Sequence, residues 1–559
     1  MTLPKLNGPS QSGSPHLAAV IDIGATSIRL AIAEIQQDRK IRTLDTLVQP
    51  VELGREVFED RRISPKSIER VAEVLSRYKS VLNEYGFGAE DPVRVVATTA
   101  VREAVNRLAF ADRLYVATGL KVESIDEQEV NRITYVGVYP HLQTDEALAN
   151  GKSLVVEVGG GNTELLVVRG GNVLSSKSFR LGTIRLLQVL QRVSSNPEHR
   201  RSLLENHINR YLAQIKEAVS DDHQIHLVAL GGDIRLALSE LENDWDGKSL
   251  AKLSVEELGE LAEKVLACSD DDLVKRYSMS YVEAATLGPA LLAYYLLAKH
   301  FSLSHLYVCD TNLRDGLLND MAVGGTWSGE FRNQIIRSAI SLGRKFSFDE
   351  THARNVAELS RSLFLELSEE HGLDVRHEAI LFVAALLHEV GLIVNVRSNH
   401  KHAFYLIRHS DLFGLSKSEL VLVGLVVRYH RRAAPQASHD TYSTLPQRDR
   451  AVVSKLAAIL RLARPILVLL ICWEERLIRQ VERVVDSIID IDLSILDLLL
   501  RFLSFLVLVA FKPLQLLLCP LQSLRSLLTI KEPNLVPPPN HITPLLRPLL
   551  LVQFMLRSP

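Results

Sequence analysis

Cysteine is scarce in this chain: four thiols in 559 residues, at Cys268, Cys309, Cys472 and Cys519, with no CxxC spacing among them. That excludes a disulfide framework, and it fits a protein of the reducing cytoplasm whose cysteines serve as small buried hydrophobes. An excess of charge of either sign is also lacking, since 64 Lys and Arg stand against 66 Asp and Glu. The strongly basic face of a nucleic-acid scaffold is therefore not expected. An anionic small substrate is compatible with this balance, because a few cations and backbone amides hold phosphate locally. Residues 1–16 lack the apolar run of a signal peptide and, being rich in Gly, Pro and Ser, read as a flexible tail. Between Phe502 and Leu524 the only charge is Lys512, but Pro513 and Pro520 interrupt the stretch. A membrane span there is poorly formed, and a buried helix pair is the expectation.

The length exceeds what one hydrophobic core supports, so several domains are expected. AAVIDIG followed by SIRLAIAEI, within Leu17 to Ile35, predicts a strand, a tight turn and a second strand. SLVVEVGGGNTELLVV, from Ser153, repeats that theme about 135 residues later. Further strands are predicted at VRVVATTAV (from Val93), HLVALGG (from His226) and LYVCD (from Leu306), alternating with helical stretches such as Ile63–Tyr85 and Pro197–Val219. Two similar α/β lobes follow, 17–140 and 141–325. Beyond Trp327 the periodicity is helical, giving an all-α domain at 330–463 and then a leucine-rich segment, 464–559.

The chemistry concentrates at the two glycine hairpins. The first offers Asp22 at a strand end, Gly24 for the turn, and the hydroxyls of Thr26 and Ser27. The second offers Gly159, Gly160 and Gly161, then Asn162, Thr163 and Glu164. Backbone N–H groups at such turns approach phosphate where a Cβ would clash. Carboxylates at the strand ends, Asp22 and Glu157, are candidate ligands for Mg²⁺ or Mn²⁺, hard cations that take oxygen. One such hairpin is more often only a turn; two, each preceded by an apolar strand ending in a carboxylate, point to a phosphate cleft.

These motifs, with VATTAVREAVNR, VALGGDIRLAL and YVCDTNLRDGLLNDM in the same order, resemble the exopolyphosphatase / guanosine pentaphosphatase family over about 300 residues. The resemblance implies two actin-like ATPase (ribonuclease H-like) lobes. It implies Mg²⁺-dependent hydrolysis, by water, of the terminal phosphoanhydride of inorganic polyphosphate, or of guanosine pentaphosphate in the stringent response. By motif, Glu129 rather than Glu127 would position and deprotonate the water, although Val130 stands where relatives extend the acidic run. Arg102 would bind the transferring phosphate, and Glu164 would sit near the metal or the water. Glu157 stands where relatives carry Asp, and Asn162 where they carry Ser. A kinase of the same superfamily would need an adenosine pocket, for which no residues stand out; a non-catalytic polyphosphate or nucleotide sensor is a further reading. A homodimer is compatible with the family.

The helical domain resembles an HD-type module, with His352, the pair His388–Glu389, and Arg464 where a final aspartate ligand belongs. A cation in that place predicts no working metal site. Arg428, His430 and Arg431 are expected to form a basic wall extending the phosphate channel. After Ala463 the resemblance ends.

Overall fold

The computed structural model describes residues 15–486, apart from 89–90, 192–196, 220–224, 243–244, 247–248, 324–328 and 432–433. The predicted tail, the stretch 502–524 and most of the leucine-rich segment lie outside the described residues. Two compact units are formed, Met1–Glu350 with Leu386–Gly424, and Thr351–Ala385 with Leu425–Pro559.

The first unit is built on two sheets. Its first sheet takes β1 (His16–Ile23), β2 (Ser27–Ile35), β3 (Ile41–Pro50), β4 (Val93–Ala97) and β5 (Val122–Ser124), in the order β3-β2-β1-β4-β5. β1 runs antiparallel to β2 and parallel to β4. Six consecutive buried residues in β1, Ala18 to Ile23, mark a central strand covered on both faces, which is why its pattern is a continuous apolar run rather than an alternation. Ile21, Ile23, Ile28, Leu30, Val74 and Leu75 pack on one face of this sheet, and Val20, Ala31, Val96, Ile133 and Leu317 on the other. The second sheet takes β6 (Lys152–Val158), β7 (Thr163–Arg169), β8 (Asn172–Phe179), β9 (Ile225–Leu230), β10 (Ala251–Ser254) and β11 (His305–Val308), in the order β10-β11-β9-β6-β7-β8. Its meander β6–β7–β8 and the parallel pairs β6–β9 and β9–β11 repeat the first sheet's plan. Two lobes of this plan make an actin-like ATPase (ribonuclease H-like) fold.

Helices are placed by local signals. Pro65–Glu84 begins with Pro at its first position and Ser64 as cap, accepting from Ser67 N at 3.2 Å. It buries Val71, Val74, Leu75, Tyr78 and Leu82, a stripe of helical spacing. Tyr281–His300 opens with a Ser280–Glu283 capping box. It is the helix among the described residues that is long and apolar enough to cross a membrane, yet 67% of that window is buried inside the protein. Tyr294 on this helix accepts from Val158 N at 2.8 Å and donates to Leu230 O, tying the ends of β6 and β9 together. Cys309 is buried as expected, whereas Cys268 is exposed just after the helix Val255–Ala267.

No strand occurs after β11 among the described residues, so the C-terminal region is helical. In the second unit Glu378 lies 3.5 Å from Arg361, and Lys455 donates to His371 O at 2.7 Å. Gln447–Asp486 is one helix of 40 residues containing Pro465, so helix continues well past Ala463.

Candidate active site

The two glycine hairpins adopt the same turn. Gly24 N donates to Ser27 O at 2.9 Å, and Gly159 N to Asn162 O at 2.9 Å. The next helix anchors each loop: Gly54 N donates to Ala25 O, and Ile184 N to Gly160 O, both at 2.9 Å. Close approach, as much as ligand access, demands the glycines. A Cβ on Gly160 would stand 3.2 Å from Ala25 Cβ, and one on Gly161 only 2.5 Å from the Phe58 ring and 2.8 Å from Thr99. The hairpins therefore meet, one from each lobe.

Their donors are fewer than the sequence suggests. The amides of Gly24 and Gly159 are used inside the turns, while those of Ala25, Thr26, Gly160 and Gly161 have no acceptor among the described residues. Thr163 is buried and its hydroxyl donates to Leu181 O at 2.5 Å; Asn162 is buried and its amide donates to Ser178 Oγ at 2.9 Å. In the first loop Ser27 is buried at the start of β2 and Thr26 is half-buried. The expected phosphate contacts from the Asn162 and Thr163 side chains are corrected accordingly: these two groups hold the second loop.

Carboxylates line the strand ends. Burial raises the Asp22 pKa, opposed by Arg314, 3.6 Å away, and by Arg29 across the strand pair. Burial also raises Glu157, against the pull of Arg235, and the neighbouring Asp22 adds to the rise. Glu164 is pushed up to about 8 by burial, against the hydrogen bond it accepts from Ser178 Oγ at 2.9 Å; Arg102 lowers it, and Glu127 and Glu157 raise it. Asp233, in the first turn of Gly232–Leu241, is raised to about 6 by burial. Asp22 Oδ1 and Glu164 Oε2 are buried with no hydrogen-bond partner among the described residues. A buried orphan oxygen costs free energy unless something occupies it, and two on carboxylates suit a hard dication. Sequence reasoning missed Arg29, Arg235, Arg314 and Asp233. Arg29 breaks an apolar strand opposite Asp22, and Arg235 and Arg314 each lie in the first helical turn after a strand, signals that were available.

Arg102 donates to Ile125 O at 3.1 Å and Thr99 Oγ1 at 3.2 Å, and approaches Glu127 Oε1 at 3.6 Å. Glu127 opens the helix Glu127–Leu142, with Asp126 as its cap. Glu129 is committed elsewhere. Both its oxygens accept from Arg132 at 2.8 Å, and Arg132, only 1% exposed, also donates to Asp320 at 2.7 and 3.1 Å. Glu127, not Glu129, is thus the glutamate brought to Arg102 and into electrostatic range of Glu164. Glu129, expected to position and deprotonate the water, lies two residues along the helix and is held by Arg132 at i,i+3 instead. The lobes are further joined by Glu103, which accepts from Arg185 at 2.7 Å and Arg180 at 2.9 Å, and by Arg185 stacked 4.0 Å over Phe58.

Arg428, His430 and Arg431 lie in the second unit. His430 is buried, with Nδ1 against Val427 O at 2.5 Å, so it is no part of an exposed basic wall; Arg428 rests 5.9 Å from the Tyr429 ring. His388 and Glu389 lie in the first unit, 3.6 Å apart.

Two ribonuclease H-like lobes meeting through glycine turns, with buried carboxylates and arginines at the strand ends, define a protein built to handle phosphoryl groups. The Ppx/GppA phosphatase family model matches residues 20–323, and that of Ppx/GppA phosphatase domain III matches residues 336–469. The chain belongs to the Ppx/GppA phosphatase family. The crystal structure of the Aquifex aeolicus family member is 25% identical, matching 55% of this chain and 97% of that one at a TM-score of 0.46. An exopolyphosphatase from Cytophaga hutchinsonii is 22% identical over 56% of this chain and 99% of its own, at a TM-score of 0.50, a likeness of fold.

Proposed function

We propose that this phosphatase is a Mg²⁺-dependent exopolyphosphatase that hydrolyses the terminal phosphoanhydride of inorganic polyphosphate in the cytoplasm. The observation that carries the reading is the pair of orphaned, buried carboxylate oxygens, Asp22 Oδ1 and Glu164 Oε2, beside unpaired hairpin amides. Asp22, Glu164 and Glu157 would hold the metal, which when bound offsets charge on the phosphoryl oxygens. The free amides of Ala25, Thr26, Gly160 and Gly161 would hold the phosphate chain. Arg102 would neutralise the transferring phosphoryl group. Glu127 would orient a water and take its proton as the water oxygen bonds to phosphorus and the bridging P–O bond breaks, the shortened chain leaving as the anion. Glu129 becomes a positioning residue that fixes this helix through Arg132 and Asp320.

Guanosine pentaphosphate is the alternative substrate, and the same groups would act on it. Polyphosphate is favoured because Phe58, the ring beside the hairpins, is already covered by Arg185 and packed on Gly161, so it is not offered to a guanine base. Substrate competition tests the choice. Polyphosphate should suppress guanosine pentaphosphate turnover more strongly than the reverse, and the opposite order would assign the signalling nucleotide. Tight Mg²⁺-dependent binding of both without phosphate release would leave a sensor.

A further inference from the structure

Lys417 begins the helix Lys417–Tyr429, and Leu386–Gly424 falls in the same compact unit as the two lobes. Its backbone N–H donates to Asp126 Oδ2 at 2.7 Å. The other oxygen of Asp126 accepts from Glu129 N at 2.9 Å, capping Glu127–Leu142. A single carboxylate thus serves the amino ends of two helices, where unpaired N–H groups and positive dipole ends call for an anion. The Lys417 ammonium then reaches Glu127 Oε2 at 3.4 Å, while Arg102 stands 3.6 Å from Glu127 Oε1. Each oxygen of Glu127 faces its own cation.

We propose that Lys417 is a positioning residue for the hydrolysis, holding Glu127 from the side opposite Arg102. The proposal rests on the functional reading above. With Arg102 as its only partner, Glu127 would close onto that guanidinium, withdrawing the base from water and the cation from phosphate together. A second cation on the far oxygen balances that pull and leaves Arg102 to the substrate. The Lys417–Glu127 pair is solvent-exposed in part, 62% and 37%, so its effect is modest.

The substitution Lys417→Ala removes the ammonium but keeps the backbone N–H on Asp126, so helix docking survives and the charge alone is tested. In the full chain, kcat on polyphosphate should fall about three- to fivefold with KM unchanged, the scale of an exposed ion pair. Lys417→Arg should restore most of it. An unchanged kcat, or a raised KM at constant kcat, would overturn the proposal, the latter by making the lysine a substrate contact. A second measurement needs no activity. Zero-length carbodiimide coupling of the wild-type chain, read by mass spectrometry, should give a Lys417–Glu127 amide that is absent from Glu127→Gln. Active protein without that cross-link sinks the positioning role alone, whereas cross-linked protein that releases no phosphate sinks the hydrolase reading and the role with it.

Discussion

Replacing Glu127 and Glu129 by glutamine, one at a time, separates chemistry from architecture on a single helix. Among the described residues Glu127, 37% exposed, meets Arg102 and Lys417 at ion-pair distance, so Glu127→Gln removes no fully buried contact. Loss of a positioned general base costs roughly a hundredfold in kcat, about 2.7 kcal/mol of barrier. The melting temperature should stay within about 1 °C of wild type, because surface substitutions of this kind lie within about 0.5 kcal/mol. Glu129→Gln acts on another quantity. Arg132 is 1% exposed and shared between Glu129 and Asp320, and taking one carboxylate away leaves a buried guanidinium half-compensated. Breaking such a pair costs about 3–5 kcal/mol when a partner vanishes outright, and somewhat less when glutamine keeps one acceptor. A drop of several degrees is expected, with a smaller loss of kcat from the displaced helix. Phosphate-release kinetics and thermal denaturation of both variants decide the matter. An inactive Glu129→Gln of wild-type stability beside a fully active Glu127→Gln would refute the reasoning.

Asp22→Asn should remove most Mg²⁺ binding by calorimetry while the fold persists, since the amide keeps the volume but not the charge beside Arg314. Mg²⁺ affinity should rise with pH towards and through about 8, because the metal must displace the proton that burial keeps on Glu164. For the metal-free protein the sign is fixed by the same shift. The folded state holds the Glu164 proton between the ordinary carboxylate pKa and about 8, so stability relative to Glu164→Gln should decline across that window as pH rises, and denaturant titrations at several pH values check it. Gly161→Ala should destabilise by about 1–3 kcal/mol through the clash with Phe58 and Thr99, measured by urea denaturation, and more than Gly160→Ala, whose Cβ finds 3.2 Å.

The architecture was legible because its signals are local and repeated. The apolar runs of β1 and β6, each closed by a carboxylate and a glycine turn, announce buried central strands, and their repetition announces two lobes. Side-chain destination within a motif was less legible. EQEVNR places Glu129 within reach of Arg132 at i,i+3, but not the burial of that pair, which rests on Asp320, 188 residues from Arg132, fixing the guanidinium. Asn162 and Thr163 read as donors for phosphate, yet their partners, Ser178 and Leu181, belong to the following strand and loop. The grouping of 386–424 with the α/β lobes was hidden for the same reason, since it rests on contacts such as Lys417 with Asp126 rather than on periodicity.

Release of inorganic phosphate from long-chain polyphosphate by the purified full chain, with Mg²⁺ and again in EDTA, tests the central claim most directly. Steady release with the metal and none in the chelator is the predicted result. Full activity in EDTA would contradict the metal assignment to Asp22, Glu157 and Glu164, and no release under either condition would contradict the exopolyphosphatase itself.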